Sequence, residues 1–394
     1  MTALQHLLSL PAAEQARLGV EATPAEIAQQ PLLWRDTAAR VAAAAPELRA
    51  LLGRDELIFA GAGTSDFVGR CLQGPVSAAR GARALAVPTT DIVTHPEFAL
   101  PSSAPAVLVS FARSGNSPES GAALEVVRQE RPEVRHLIIT CNAEGELARR
   151  AAELGDRAYA LVLDARTNDR GLAMTSSFTS MVTAGLGLAY LDDVDEYVGL
   201  VDRMAGAGEQ VLAQAPAITK ALADKGPTRA CFLGSGALLG AATECHLKLQ
   251  ELTNGGVICF YDSFLGLRHG PRAAIDTGTL VVAFLSSAPH VRRYEVDLLR
   301  SNRRGGLGLA HLLVVDRATE ELRGLADAVV ETDPTGALAL PDSFAPPVAT
   351  VVGQLLGVFA SLHRGLKPDA PSAAGTISRV VQGVTIYPWE HNDQ

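Results

Sequence analysis

Two stretches of this chain repeat one form at a constant shift. LIFAGAGTSDFVG, from Leu57, and RACFLGSGALLGAA, from Arg229, each run from an apolar strand through a glycine turn into a helix. Gly61 and Gly63 fall on Gly234 and Gly236 with a shift of 173, and the same shift carries Phe111 of SFARSGNSPES onto Phe284 of TLVVAFLSS. A repeated strand-glycine-helix unit leaves few folds open, because strands that alternate with helices build parallel sheets covered by helices. The expected class is therefore α/β, with one parallel sheet in each copy. At 394 residues the chain has room for two such units.

Short apolar runs place the strands of the first copy near 56–60, 84–87, 106–111, 136–140 and 159–163. Those of the second copy fall near 230–233, 257–260, 279–285, 311–315 and 328–331. Residues 195–225 read as a mostly helical bridge. The expected division is a helical segment over 1–52, a first α/β domain over 53–205, a second over 206–370 and a tail over 371–394.

The turn SFARSGNSPES joins a strand to a helix. Ser117 suits the N-cap, Pro118 the first helical position and Glu119 the positive end of the helix dipole. Ser114, Gly115 and Ser117 then surround a helix N-terminus at the carboxyl end of a strand, where open α/β sheets bind ligands and free N–H groups meet an anion. One exposed helix end is worth only about 0.3–1 kcal/mol to an anion, so this turn alone is equally an ordinary capped helix. GAGTS adds a second such turn with Gly63, Thr64 and Ser65. It is not a dinucleotide fingerprint, because Asp66 stands where the third glycine belongs, and no GK[ST] makes it a Walker loop. Paired hydroxyl-rich turns without lysine suit a small phosphate monoester better than a nucleotide. The second copy has SSAPH and GSGAL at the matching places, so the anion site is better supplied in the first.

Composition narrows the partners. A net charge of −9 argues against nucleic acid or an anionic membrane, while 47% hydrophobic and 20% charged residues describe a globular protein with a large core. Cys71, Cys141, Cys231, Cys245 and Cys259 are scattered without a C-x-x-C pair and read as reduced thiols of a cytoplasmic protein. MTALQHLLSLPAAEQ has neither the basic start nor the cleavage site of a secretion signal. The apolar stretch from Val348 to Leu362 contains Gln354 and is shorter than the ~18–20 residues of a membrane span, so it is expected to be a core helix.

The second copy offers different chemistry. AATECHLKLQELTNGG reads as a helix closed by Asn254-Gly255-Gly256, with Glu244, Lys248 and Glu251 on one face. A solvated charged face is the commoner meaning of that spacing. Against it, the helix starts at a ligand-type strand end and is followed by YDSFLGLRHGPRAAID, where His269 lies between Arg268 and a Gly-Pro turn. A carboxylate and a histidine so placed could serve as an acid/base pair. H-E-x-x-H is absent and the histidines show no metal-ligand spacing; SFARSGNS is not G-x-S-x-G, so zinc and Ser-His-Asp chemistry are both weak readings.

GAGTS, SFARSGNSPES, ITCN, DRGLAMTSSFT, ECHLKLQEL, LRHGP and the tail PSAAGTISRVVQGVTIYPW together resemble the double sugar-isomerase (SIS) proteins, specifically the AgaS-type galactosamine-6-phosphate deaminase/isomerases, from about residue 25 onward. The order of the motifs, with MTSSFT, HGP and the tail, carries the likeness. It implies two αβα sandwich subdomains and a homodimer or higher assembly with sites near the subunit interface. Carried over by position, Gly63, Thr64, Ser65, Arg113, Ser114 and Ser117 would bind phosphate, and Thr175 and Ser176 would wall the sugar pocket. Glu251 would move the C2 proton, and His269, supplied by a neighbouring subunit, would open the ring. Relatives that make glucosamine 6-phosphate have a tail lysine where this chain has Gln382, which leaves Arg379 as the candidate tail contact. Those relatives also carry an N-terminal glutaminase domain led by a cysteine, which is not expected here.

The resemblance thus implies ammonia release from an amino sugar 6-phosphate, best matched by galactosamine 6-phosphate going to tagatose 6-phosphate, without metal or organic cofactor. Glucosamine-6-phosphate deamination, plain aldose-ketose isomerisation of a neutral sugar phosphate, and non-catalytic sugar-phosphate sensing are the alternatives. The last is disfavoured by the intact Glu251 and His269 and by the lack of a basic DNA-reading segment.

Overall fold

The computed structural model describes residues 1–100, 105–381 and 383–389. Its two sheets are built from the apolar runs. β1 (Glu56–Gly61), β2 (Ala84–Pro88), β3 (Ala106–Ala112), β4 (Arg135–Thr140) and β5 (Ala158–Val162) form the first, in the order β2-β1-β3-β4-β5. β6 (Arg229–Leu233), β7 (Ile258–Asp262), β8 (Thr279–Phe284), β9 (Ala310–Val315) and β10 (Ala328–Glu331) form the second, in the order β10-β9-β8-β6-β7. Taken from β7, that is the same order, and every pairing is parallel. Register repeats as well: Glu56 pairs with Ala106 and Arg229 with Thr279, again 173 residues on. β3 and β8 are buried at every position because helices cover both faces, which is why they read as unbroken apolar runs rather than alternating ones.

The helices used below are α1 (Gln30–Ala43), α2 (Thr64–Arg80), α3 (Pro118–Glu130), α4 (Ser176–Gly187), α5 (Val194–Ala223), α6 (Ala237–Leu252), α7 (Pro289–Arg304) and α8 (Ala345–His363). α5 is the expected bridge between the copies. α8 is long and apolar enough to cross a membrane, but 89% of its apolar window is buried inside the protein, where it packs on α5 and α6. Its glycines permit that approach: a Cβ on Gly353 would lie 2.4 Å from Cys245 Sγ, and one on Gly357 would lie 2.5 Å from Leu252 Cδ1. α6 ends as its sequence requires, with Asn254 and Gly255 at positive φ and the Gly255 N–H donating to the Gln250 carbonyl at 2.8 Å. Four of the five thiols are buried and Cys259 is half-buried; all are free.

The repeat extends to the turns. Gly63 and Gly236, which open α2 and α6, have φ/ψ of 55/−127° and 56/−126°. In both sheets the order reverses between the first and third strands of the copy, and the crevice above such a reversal is where an open α/β sheet takes its ligand.

Candidate active site

At the first reversal, the turns after β1 and β3 form one side of a cavity of about 590 Å³. Gly63, Thr64, Ser65, Arg113, Ser114 and Ser117 all line it, as the sequence placed them. Ser117 holds the N-cap position of α3, but its hydroxyl bonds the Ser120 hydroxyl at 2.6 Å instead of capping the helix. The helix end is thus uncapped by side chains and still open to an anion.

Arg113 is 7% exposed and is held by carbonyls alone, donating to Gly171 O at 3.3 Å, Leu172 O at 3.0 Å and Arg379 O. Burial and the neighbouring Arg379 push its pKa down, with Asp169 acting the other way. Arg379 also lines the cavity; its guanidinium donates to Asp169 O at 2.8 Å and Asn168 Oδ1 at 2.7 Å. Among the described ion pairs neither arginine has a carboxylate partner, although Asp169 and Glu251 act on Arg113 from a distance and Glu119 also lines the cavity, so the guanidinium groups remain open to a phosphate. Gln382 lies outside the described residues.

Thr175 and Ser176 do not wall the cavity. Both are fully buried beneath it: Asp169 accepts from the N–H groups of Thr175, Ser176 and Ser177 at 2.7, 3.0 and 2.9 Å, and the Ser176 hydroxyl donates to Glu26 O at 2.7 Å. They shape the start of α4, and Leu172 and Met174 of the same segment face the cavity instead. A hydroxyl at a helix start is as readily consumed within the chain as offered to a ligand: that of Thr175 donates to Asp169 Oδ1 at 3.0 Å and that of Ser176 to the Glu26 carbonyl.

The opposite wall comes from the second copy. α6 presents Leu247, Lys248 and Glu251 to the cavity. The charged face of α6 is buried rather than solvated, since Glu244 is 0% and Lys248 1% exposed. Lys248 Nζ donates to Glu251 Oε2 at 2.5 Å and to Thr64 Oγ1 at 3.0 Å, and lies 3.5 Å from Glu244 Oε1. Burial acts to lower the Lys248 pKa, but the two carboxylates outweigh it and the net direction is up. Burial drives Glu244 up to about 8, opposed by Lys248 and Thr64 and aided by Glu251. A protonated Glu244 leaves a balanced Lys248/Glu251 pair at neutral pH, which avoids burying a second uncompensated charge. Lys248 went unrecognised in the sequence as a site residue. The signal was present in its spacing from both glutamates, and what was missing was its burial.

His269 ends the 3-10 turn Gly266–His269 beyond β7, is exposed, and is not among the residues lining the cavity. Within one chain the structure therefore does not bring it to Glu251.

No family model matches the chain. Curated relatives match along nearly its whole length. An AgaS chain of Streptomyces coelicolor is 42% identical over 382 residues, covering 93% of this chain and 95% of that protein. The D-galactosamine-6-phosphate deaminase AgaS of Shewanella sp. is 34% identical, covering 97% and 96%. Among solved structures, the tagatose-6-phosphate ketose/aldose isomerase of Escherichia coli superposes with a TM-score of 0.83 at 34% identity, covering 94% of this chain and 97% of that one. The C-terminal domain of glucosamine-fructose-6-phosphate aminotransferase from Francisella tularensis, at 20% identity and a TM-score of 0.72, shares the fold. With its two SIS-fold units in tandem, the chain belongs to the AgaS family.

Proposed function

We propose that this protein is an amino sugar phosphate deaminase/isomerase that converts D-galactosamine 6-phosphate and water into D-tagatose 6-phosphate and ammonia. The AgaS relatives named as D-galactosamine-6-phosphate deaminases support that substrate. The observation that carries the chemistry is one cavity with hydroxyls and Arg113 on one wall and the Lys248/Glu251 pair on the other. The phosphate binds to Thr64, Ser65, Ser114 and Ser117 with Arg113 behind them and Arg379 closing from the tail. Gly63 lets the backbone approach it.

The C2 proton of the open-chain amino aldose passes to Glu251, and the resulting enolamine is reprotonated at C1. Water adds to the C2 imine and ammonia leaves, so the atoms balance. The carbonyl at C1 acidifies C2, and no metal or organic cofactor is needed for the proton step. Lys248 orients Glu251 and ties it to the Thr64 turn, so phosphate binding and proton transfer share one ammonium. His269 opens the sugar ring from a neighbouring subunit, which makes the working unit a dimer or larger assembly. A sugar phosphate as substrate fits a cytoplasmic protein with neither nucleic acid nor membrane as partner.

Turnover in D2O followed by NMR tests this reading. It predicts tagatose 6-phosphate with solvent deuterium at C1. Tagatose 6-phosphate formed from galactose 6-phosphate, with no ammonia released from galactosamine 6-phosphate, would instead mean plain aldose-ketose isomerisation by the same residues.

A further inference from the structure

The second copy's strand end is already occupied. The shift that superimposes β1 on β6 and β3 on β8 brings Arg113 and Ser114 onto Ser286 and Ser287. In the first copy these positions line the large cavity. In the second, a carboxylate sits on them: Asp342 Oδ1 accepts from the Ser287 N–H at 2.7 Å and the Ser287 hydroxyl at 2.6 Å, and Oδ2 accepts from the Ser286 hydroxyl. Ser286 Oγ in turn accepts from the Ala288 N–H at 3.0 Å, at the N-cap of α7. A backbone N–H and two hydroxyls converging on two charged oxygens at a helix start is the way a chain holds an oxyanion. Here the oxyanion belongs to the chain itself.

Asp342 opens the short turn that leads into α8, as the segment 165–175 leads into α4 in the first copy. That segment meets its strand end through the Gly171 and Leu172 carbonyls, which bind Arg113 and leave the Ser114 side of the turn on the cavity. The second copy has serine where the arginine was, and a carboxylate where the carbonyls were. We infer that the second copy retains an oxyanion cradle on Ser286 and Ser287, of a kind that takes a small phosphate, and that Asp342 fills it as an internal ligand. The chain then takes one phosphate ester rather than two, and the spare cradle becomes a tie between α8 and its sheet.

Two further features keep that cradle closed to substrate. Ala237 and Leu238 replace the hydroxyls of Thr64 and Ser65, and the space left beside Asp342 is only about 40 Å³. Asp316 and Asp333 also line it, although Asp316 is paired with Arg292 at 2.6 Å and Asp333 accepts from the N–H groups of Leu338 and Ala339 at 3.0 Å each. Removing the Asp342 charge therefore leaves donors without an acceptor and Arg292 close by.

The inference rests on reading the first-copy turns as a phosphate cradle, and the experiment separates the two. Inorganic phosphate is titrated into the wild type, Asp342→Ala and Asp342→Ser by equilibrium dialysis, with thermal midpoints in phosphate and chloride at equal ionic strength. A second phosphate per chain in the variants, and a larger phosphate-dependent rise in midpoint than in wild type, are expected. Equal stoichiometry in all three proteins overturns the inference. Binding by the variants alone upholds the Asp342 site and removes the first-copy cradle; binding by none removes both. If a variant is unfolded in chloride, recovery of its native spectrum in phosphate counts for the inference and failure to recover counts against it.

Discussion

Lys248 of the second copy donates to Thr64 of the first at 3.0 Å, across the junction of the two repeated units. One ammonium thereby connects the turn that faces the phosphate with the carboxylate placed to move a proton, 2.5 Å away at Glu251. The geometry explains why a single-copy protein of this design would be incomplete: the anion turns and the proton-transfer helix come from different repeats.

Glu251→Gln should lower kcat by about 10²–10⁴-fold while galactosamine 6-phosphate still protects the protein against thermal unfolding. The amide fills the same space and accepts the Lys248 hydrogen bond, so folding is spared. Unchanged turnover in this variant would remove Glu251 from the mechanism.

Lys248→Met leaves the Glu251 carboxylate without its cation, a change that costs about 3–5 kcal/mol where such buried pairs are broken. Because Glu244 is held up to about 8, it is largely protonated at pH 7 and Glu244→Gln alone should lose little. The double variant should therefore be about as stable as Lys248→Met, since a neutral Glu244 has no charge to strand. Urea midpoints of the three proteins test the order, and Lys248→Met should also lose turnover by about 10²-fold through a misplaced base.

Glu251→Gln and His269→Asn, each inactive alone, should complement when mixed and allowed to exchange subunits. Random dimers that build each site from two chains would recover about a quarter of wild-type activity, because half the dimers then hold one intact site. No recovery after demonstrated exchange would place His269 outside the site.

Glu26 tests the segment that leads into α4, where it accepts from the N–H groups of Arg170 and Gly171. Burial first, and then Asp169 and Asp369, raise its pKa from 4.5 to about 7, against the N–H groups of Arg170 and Gly171 that bond it. The folded state holds this proton more tightly than the unfolded state. The stabilisation is complete below the unfolded value and is lost as pH rises through about 7. It amounts to at most about 3 kcal/mol. Glu26→Gln stays neutral, so its stability relative to wild type should rise between pH 5 and pH 8. A constant difference in denaturation midpoint across that range would contradict the assignment.

Much of this was legible from residues. The fixed shift announced the repeat, the glycine turns located both strand ends, and GAGTS and SFARSGNS supplied cavity residues directly. What was hidden depended on burial and on partners distant in sequence. Asp169 stands only six and seven residues before Thr175 and Ser176, but the spacing does not tell that it accepts their N–H groups, and nothing local tells that the Glu244-Lys248-Glu251 face turns inward onto Thr64. The divergent SSAPH turn looked merely impoverished, because its acceptor, Asp342, lies more than fifty residues downstream.

The most direct measurement is ammonia release by the purified wild-type protein with galactosamine 6-phosphate and glucosamine 6-phosphate side by side. Fast release from galactosamine 6-phosphate, with tagatose 6-phosphate as the coproduct and slower release from the gluco epimer, is expected. No ammonia from either substrate, in a protein that still binds them, would contradict the deaminase assignment.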